Sequence, residues 1–353
     1  MSQTQYIHAR CPECGHQLNY AQAGPVRQLK CTHCSYARGL GMESDQVFAR
    51  PLGSGVSLKH LSRGLGLDLV SYSCGQCQSI FAQPPEVPAT SCPFCEGEEL
   101  GRGQQHQQLA EPFSLIPFAI SRSSALSRLG RHLGRLWLLP PAIRAVLKPE
   151  RMRAMYIPFF LFDTLTRSTW RAMVGFSFIE NTRNGPRDSK AWEPSTGYYE
   201  HFYENLEVPA SVGADPVNLA DILPFDWSKV VPYDPRYLRD TPVECYQESE
   251  IGTFRLADQL LDMEIHDAIM GRLPGHDVKK MLVNSEKHSI AFRHVLVPVW
   301  VASFVFRGEL YQFLINGQSG KITGDRPLSN RRLFILLGGL FLLIVLLVVL
   351  LSL

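Results

Sequence analysis

The sequence predicts an α+β protein with two N-terminal zinc ribbons, an antiparallel β-rich domain with helices, and one C-terminal transmembrane helix. Three observations predict it: four Cys-x-x-Cys pairs within the first hundred residues, aromatic and β-branched runs bounded by turn residues in the middle, and a closing run of apolar residues. A length of 353 residues allows more than one domain and a sizeable core. The net charge of +2 gives no whole-molecule attraction to nucleic acid or anionic lipid, so any such attraction must be local.

The ribbons come first. Eight of nine cysteines fall in the pairs Cys11/Cys14, Cys31/Cys34, Cys74/Cys77 and Cys92/Cys95, and Cys245 stands alone. Residues 1–30 contain no apolar signal-peptide core, which favours a reducing compartment and metal binding over disulfides. A Cys-x-x-Cys turn puts two thiolates on one side of an ion, and two such turns complete a tetrahedron. The first module, residues 1–40, has sixteen residues between its pairs and the second, residues 68–104, has fourteen. The prolines in "CPEC" and "CPFC" and the Gly after Cys14 suit tight turns. The expected cofactors are therefore two structural Zn2+ ions, one on Cys11, Cys14, Cys31 and Cys34, the other on Cys74, Cys77, Cys92 and Cys95. Iron on the same ligands stays open, whereas thioredoxin-like redox pairs lack a βαβ context. His16 and His33 read as surface residues, since four cysteines already fill each site. Such a closed site has no position for a reacting water, which argues against catalytic zinc. Charge separates the ribbons. The first carries Arg10, Arg27, Lys30 and Arg38 against Glu13, while residues 68–101 carry Asp68, Glu86, Glu96, Glu98 and Glu99 and no Lys or Arg. The connector between them, residues 41–67, is rich in Gly, Ser and Arg.

Residues 105–330 read as the α+β domain. Near 123–138, Leu126, Leu129, Leu133, Leu136 and Trp137 recur at helical spacing with Arg128, Arg131 and Arg135 opposite, a basic amphipathic helix stopped by Pro140. Its charged face is either the solvated exterior of a core helix or a contact for anionic lipid or phosphate. "YIPFFLFDTLTRSTW" from Tyr156 and "LVPVWVASFVFRGEL" from Leu296 each predict a strand, a tight turn and a second strand. Pro158 and Pro298 would stand at a strand start or edge, and the constant offset between the two stretches is compatible with an internal duplication. Asn316-Gly317 predicts a hairpin. Thr241, Pro242 and Glu244 predict a capped helix start, with Phe254, Leu261, Ile265 and Ile269 as its buried stripe and Cys245 packed in its first turn.

Residues 333–353 carry no charge and would form a helix about 31 Å long at about 1.5 Å per residue, matching a hydrocarbon core of roughly 30 Å. Arg326, Arg331 and Arg332 precede this run, so the positive-inside bias predicts a tail-anchored, single-pass protein of the inner (cytoplasmic) membrane with its globular part in the cytoplasm. No phosphate-binding loop is present, because "NGQSGKIT" has the wrong Gly spacing and Ile322 where a magnesium-binding hydroxyl belongs. Gly-x-Ser-x-Gly and His-Glu-x-x-His are missing, and His266 and His276 read as solvated surface. The expectation is a non-enzyme.

The two ribbons, followed by "LIPFAISRSSA", "YIPFFLFD", "PFDWSKVVPYDPRYL", "LVPVW" and "YQFLINGQSGK", resemble a family of bacterial membrane-anchored double-zinc-ribbon proteins, the YdjG-like proteins, often labelled primosomal protein N′ or PriA-like helicases. The resemblance covers nearly the whole chain and brings no helicase motor with it. It implies a membrane adaptor or scaffold whose ribbons dock SPFH (flotillin-like) or phage-shock-type envelope-stress proteins. The alternative function is a membrane-tethered nucleic-acid-binding protein using the first ribbon and Arg128, Arg131 and Arg135.

Overall fold

The computed structural model describes residues 9–11, 13–14, 16–23, 26–31, 33–39, 49–53, 65, 68–103, 112–135, 140, 151–183, 185–273 and 277–325, with 338–339, 341–345, 348–349 and 351 near the end. In chain order the strands are β1 (Ala9–Arg10), β2 (Gln17–Ala23), β3 (Val26–Cys31), β4 (Ala37–Gly39), β5 (Arg50–Pro51), β6 (Val70–Cys74), β7 (Ile80–Gln83), β8 (Leu100–Gly103), β9 (Ser114–Leu115), β10 (Met152–Thr182), β11 (Gly185–Pro209), β12 (Val231–Pro232), β13 (Val243–Glu244), β14 (Asp277–Phe306), β15 (Glu309–Asn316) and β16 (Ile322–Gly324). The α-helices are α1 (Arg122–Arg135), α2 (Pro216–Asp221) and α3 (Glu250–Met270). Strands β1 to β4 make a four-stranded sheet, and the other twelve make one mixed sheet. Two of its pairings are parallel, Tyr156 with Val243 and Val295–Leu296 with Ser114–Leu115, so the domain is not the purely antiparallel one expected.

The chain divides into two compact units. One comprises Met1–Gly55, Phe160–Val208 and Glu248–His294, the other Val56–Phe159, Pro209–Gln247 and Val295–Leu353. In the first unit the long β10 pairs with β11 and with β14, and α3 packs on them through Leu261, Ile265 and Ile269 against Tyr199, Trp170 and Met281. Ser249 caps α3, its hydroxyl accepting from the Gly252 N–H at 3.1 Å. The cap therefore falls eight residues after the predicted one, Thr241, because residues 243–244 are taken by β13. The predicted stripe holds at Leu261, Ile265 and Ile269, with Phe254 half-buried.

The second unit is layered. Along β14, Val297, Val299 and Val301 pack with Ile116, Met155 and Ile157 on one face, while Trp300, Ala302 and Phe304 pack with Ala125, Leu129 and Leu133 of α1 on the other. Burial on both faces explains the unbroken apolar run "LVPVWVASFVF". Of the basic helix, Arg131 and Arg135 are exposed, whereas the Arg128 guanidinium lies against Gly320; Leu136 and Trp137 fall outside the described residues. Arg307 (φ 56°) and Gly308 (φ 83°) form the expected turn between β14 and β15. The corresponding turn after "YIPFFLFD" is absent: β10 runs straight on, and Arg167 lies within it, paired to Glu200 at 2.9 Å. The likeness of the two stretches thus ends where their turns would begin. Both prolines sit inside long strands and not at the expected start or edge, and their carbonyls still accept, from the Ala210 N–H at 3.0 Å for Pro158 and the Gly317 N–H at 2.8 Å for Pro298. The Asn316-Gly317 hairpin forms between β15 and β16.

The predicted transmembrane helix is not supported. Among the described residues no helix is long and apolar enough to cross a membrane. Of residues 333–353, the structure describes 338–339, 341–345, 348–349 and 351. The tail anchor, the membrane as partner and the single-pass inner-membrane location are withdrawn with it.

Candidate metal centres

The structure brings each predicted cysteine quartet together, with the four sulfurs of each lying within 4.8 Å of one another and none of the eight in a disulfide. In the first cluster Cys11 Sγ is 3.5 Å from Cys34 Sγ, and Cys14 Sγ is 3.4 Å from Cys31 Sγ. In the second, Cys74 Sγ is 3.5 Å from Cys95 Sγ and Cys77 Sγ is 3.6 Å from Cys92 Sγ. Four sulfurs around an ion at about 2.3 Å would stand about 3.8 Å apart, so both clusters are close to the size of a tetrahedral thiolate site.

Local backbone chemistry explains why four separate segments converge on one geometry. In all four turns the first cysteine's N–H donates to the carbonyl five residues on: Cys11 to His16, Cys31 to Tyr36, Cys74 to Ser79 and Cys92 to Gly97, at 2.7–3.0 Å. The residue after the second cysteine turns the chain through positive φ at Gln78 (61°) and Glu96 (62°). Further N–H groups point at sulfur, those of His33 and Cys34 at Cys31 Sγ (3.3 and 3.4 Å) and that of Phe94 at Cys92 Sγ (3.4 Å). Such donors favour thiolate over thiol. The Cys34 and His33 N–H groups pull the Cys31 pKa down to about 6. Donation from Cys92 and Ser79 pulls that of Cys77 down to about 4. His16 and His33 are exposed and stack ring on ring at 4.0 Å, supplying no ligand. Lys30 is exposed, and the side chains of Arg10, Arg27 and Arg38 lie outside the described residues.

The second cluster is built into its unit's core. Cys74, Cys92 and Cys95 are at most 3% exposed and pack with Phe81, Phe94 and Met155. The Pro93 carbonyl accepts from Ser303 Oγ (3.3 Å) and the Phe94 carbonyl from Gln312 Nε2 (3.1 Å), tying the turn to β14 and β15. Arg153 supplies the cation the local sequence lacks. Its guanidinium donates to the Ser91 carbonyl (2.9 Å) and hydroxyl (2.7 Å) and lies 4.0 Å from Glu96. Ser79, fully buried, places its hydroxyl 3.1 Å from Cys77 Sγ and 3.5 Å from Cys92 Sγ. Arg153, Ser303 and Gln312 were not legible as site residues because they sit far away along the chain; Ser79, two residues beyond Cys77, carried no signal beyond that nearness.

Gly213 shows how closely this site is packed. A Cβ there would lie 2.3 Å from the Phe94 ring, which is completely buried. Gly213→Ala is expected to cost about 1–3 kcal/mol of stability, the usual price of overpacking a rigid core. A thermal unfolding curve superimposing on that of the parent chain would refute this.

Fold and site together define a mixed-sheet protein carrying two closed four-cysteine clusters that could each hold a metal ion. Among curated proteins, the uncharacterized protein YdjG of Bacillus subtilis (strain 168) is similar, at 23% identity over 235 residues, covering 65% of this chain and 67% of its own length. No family model matches the chain, and no solved structure does. The distant YdjG likeness thus stands, and the primosomal or helicase label finds no support in it.

Proposed function

We propose that the chain is a non-enzymatic adaptor in which each cysteine cluster holds one structural zinc ion and the ribbons dock protein partners. The observation that carries this reading is the closed ligand set. Four thiolates fill the coordination sphere of zinc and leave no position for a water or substrate. Backbone donors to sulfur and free, unbridged cysteines fit a soft, thiophilic divalent ion.

Two measurements test it. Elemental analysis of the purified chain should return two zinc per chain, and a ratio near zero would remove the metal reading. In-cell crosslinking with mass spectrometry should recover a stoichiometric protein partner at the ribbon surfaces. The exposed Lys30, Arg131 and Arg135 define the competing outcome: crosslinks to DNA or RNA at these residues, with salt-sensitive binding, would replace the adaptor by a nucleic-acid binder.

A further inference from the structure

The two clusters share ligands and turn geometry but not surroundings. Among the described residues the first packs only on its own sulfurs and Tyr36, with Cys11 buried and Cys14, Cys31 and Cys34 partly exposed. Its β1–β4 sheet is separate from the twelve-stranded one. In the second, three of four cysteines are buried among aromatic and aliphatic side chains, and the Pro93 and Phe94 carbonyls are held by Ser303 and Gln312. A chelator or electrophile reaching Cys74, Cys92 or Cys95 must open that core, whereas Cys14, Cys31 and Cys34 of the first cluster are already partly exposed. Small metal-organised ribbons fold with their ion and unfold without it.

We infer that the first cluster is an exchangeable metal site, so that its ribbon folds and unfolds with the supply of a thiophilic divalent cation, while the second keeps its ion for as long as its unit is folded. The inference rests on reading both clusters as metal sites and deepens it: docking through the first ribbon becomes conditional on metal, and docking through the second does not.

The test uses the full chain loaded with zinc. It is treated with N-ethylmaleimide in the presence of a chromogenic zinc chelator and sampled over time by peptide mass spectrometry. Release should be biphasic. One ion per chain leaves first, with label on Cys11, Cys14, Cys31 and Cys34 accumulating at least roughly tenfold faster than on Cys74, Cys77, Cys92 and Cys95. A single release phase with both quartets labelled together, or earlier labelling of the second, overturns the inference while leaving the metal reading intact. Cys34→Ser gives a second measure: one retained ion supports the inference, and loss of both overturns it. A chain that binds no zinc under reducing conditions overturns the metal reading and the inference together.

Discussion

Cys92→Ser is expected to abolish the second metal site and with it the cooperative fold of the unit around it, whereas Cys34→Ser should leave that unit's unfolding transition in place. The contrast follows from where the ligands stand. Cys92 is 0% exposed, its sulfur is reached by the Phe94 N–H and the Ser79 hydroxyl, and Phe94 is wedged against Gly213. A structural zinc ion binds with about 10–16 kcal/mol of apparent free energy in small metal-organised peptides, and this energy is part of folding. A domain's net stability is about 5–15 kcal/mol, so losing even half of the ion's contribution would leave little. Serine is a poor ligand for a soft ion and would leave a buried hydroxyl beside three unbridged thiols. Thermal unfolding followed by circular dichroism, with zinc counted in the same sample, checks the prediction. A Cys92→Ser chain that melts cooperatively at the parent temperature would show that the cluster is not a staple.

Glu244→Gln is expected to stabilise the protein above neutral pH, by an amount that shrinks as pH falls. The Glu244 side chain is 2% exposed, and its Oε1 accepts from the N–H groups of Val212 (2.9 Å) and Gly213 (2.8 Å). Burial pushes its pKa up to about 7 from an ordinary value near 4.5, against the lowering effect of hydrogen bonds from Ser211, Gly213 and Val212. Below about pH 4.5 the carboxyl is protonated both folded and unfolded, and costs nothing. Between about 4.5 and 7 only the unfolded chain releases the proton, so stability falls as pH rises, and above about 7 the whole penalty, on the order of 3 kcal/mol, is present. Glutamine stays neutral and keeps the acceptor. The urea midpoint of Glu244→Gln should therefore exceed that of the parent at pH 8 and converge on it toward pH 5. Glu244→Ala, which removes the acceptor of the Val212 and Gly213 N–H groups, should lie below Gln at both pH values. A Gln-minus-parent difference independent of pH would dispose of the buried-acid account.

The two cysteine clusters were the most legible part of the sequence because the geometry of their turns is local. A Cys-x-x-Cys turn closes through its own backbone, here by the same N–H to carbonyl bond in all four instances, so spacing alone located all eight sulfurs. The Arg307-Gly308 turn and the Asn316-Gly317 hairpin were legible for the same reason. Elements whose fate depends on distant partners were not. Thr241-Pro242-x-Glu244 carries a sound capping signal, yet Val243 and Glu244 pair with Ala82 and Phe81 on one side and Val243 with Tyr156 on the other, which outweighs one helical turn. The stretch from Tyr156 read as a strand, a tight turn and a second strand, but its backbone continues unbroken in β10, with the Asp163 carboxylate accepting from the Asn205 N–H at 2.8 Å and the Thr164 hydroxyl donating to the His288 carbonyl at 3.1 Å. The apolar tail satisfied a hydropathy rule, yet among the described residues no helix is long and apolar enough to cross a membrane.

By itself, then, the sequence determined the two sulfur quartets and the tight turns, through turns only a few residues long, and the buried stripe of α3, through its helical period. The tertiary structure alone decided that three cysteines of the second quartet are buried in a core steadied by Arg153, Ser303 and Gln312, while three of the first are partly exposed. Burial is a property of what the rest of the chain brings to a site, and two similar ligand patterns can differ in it.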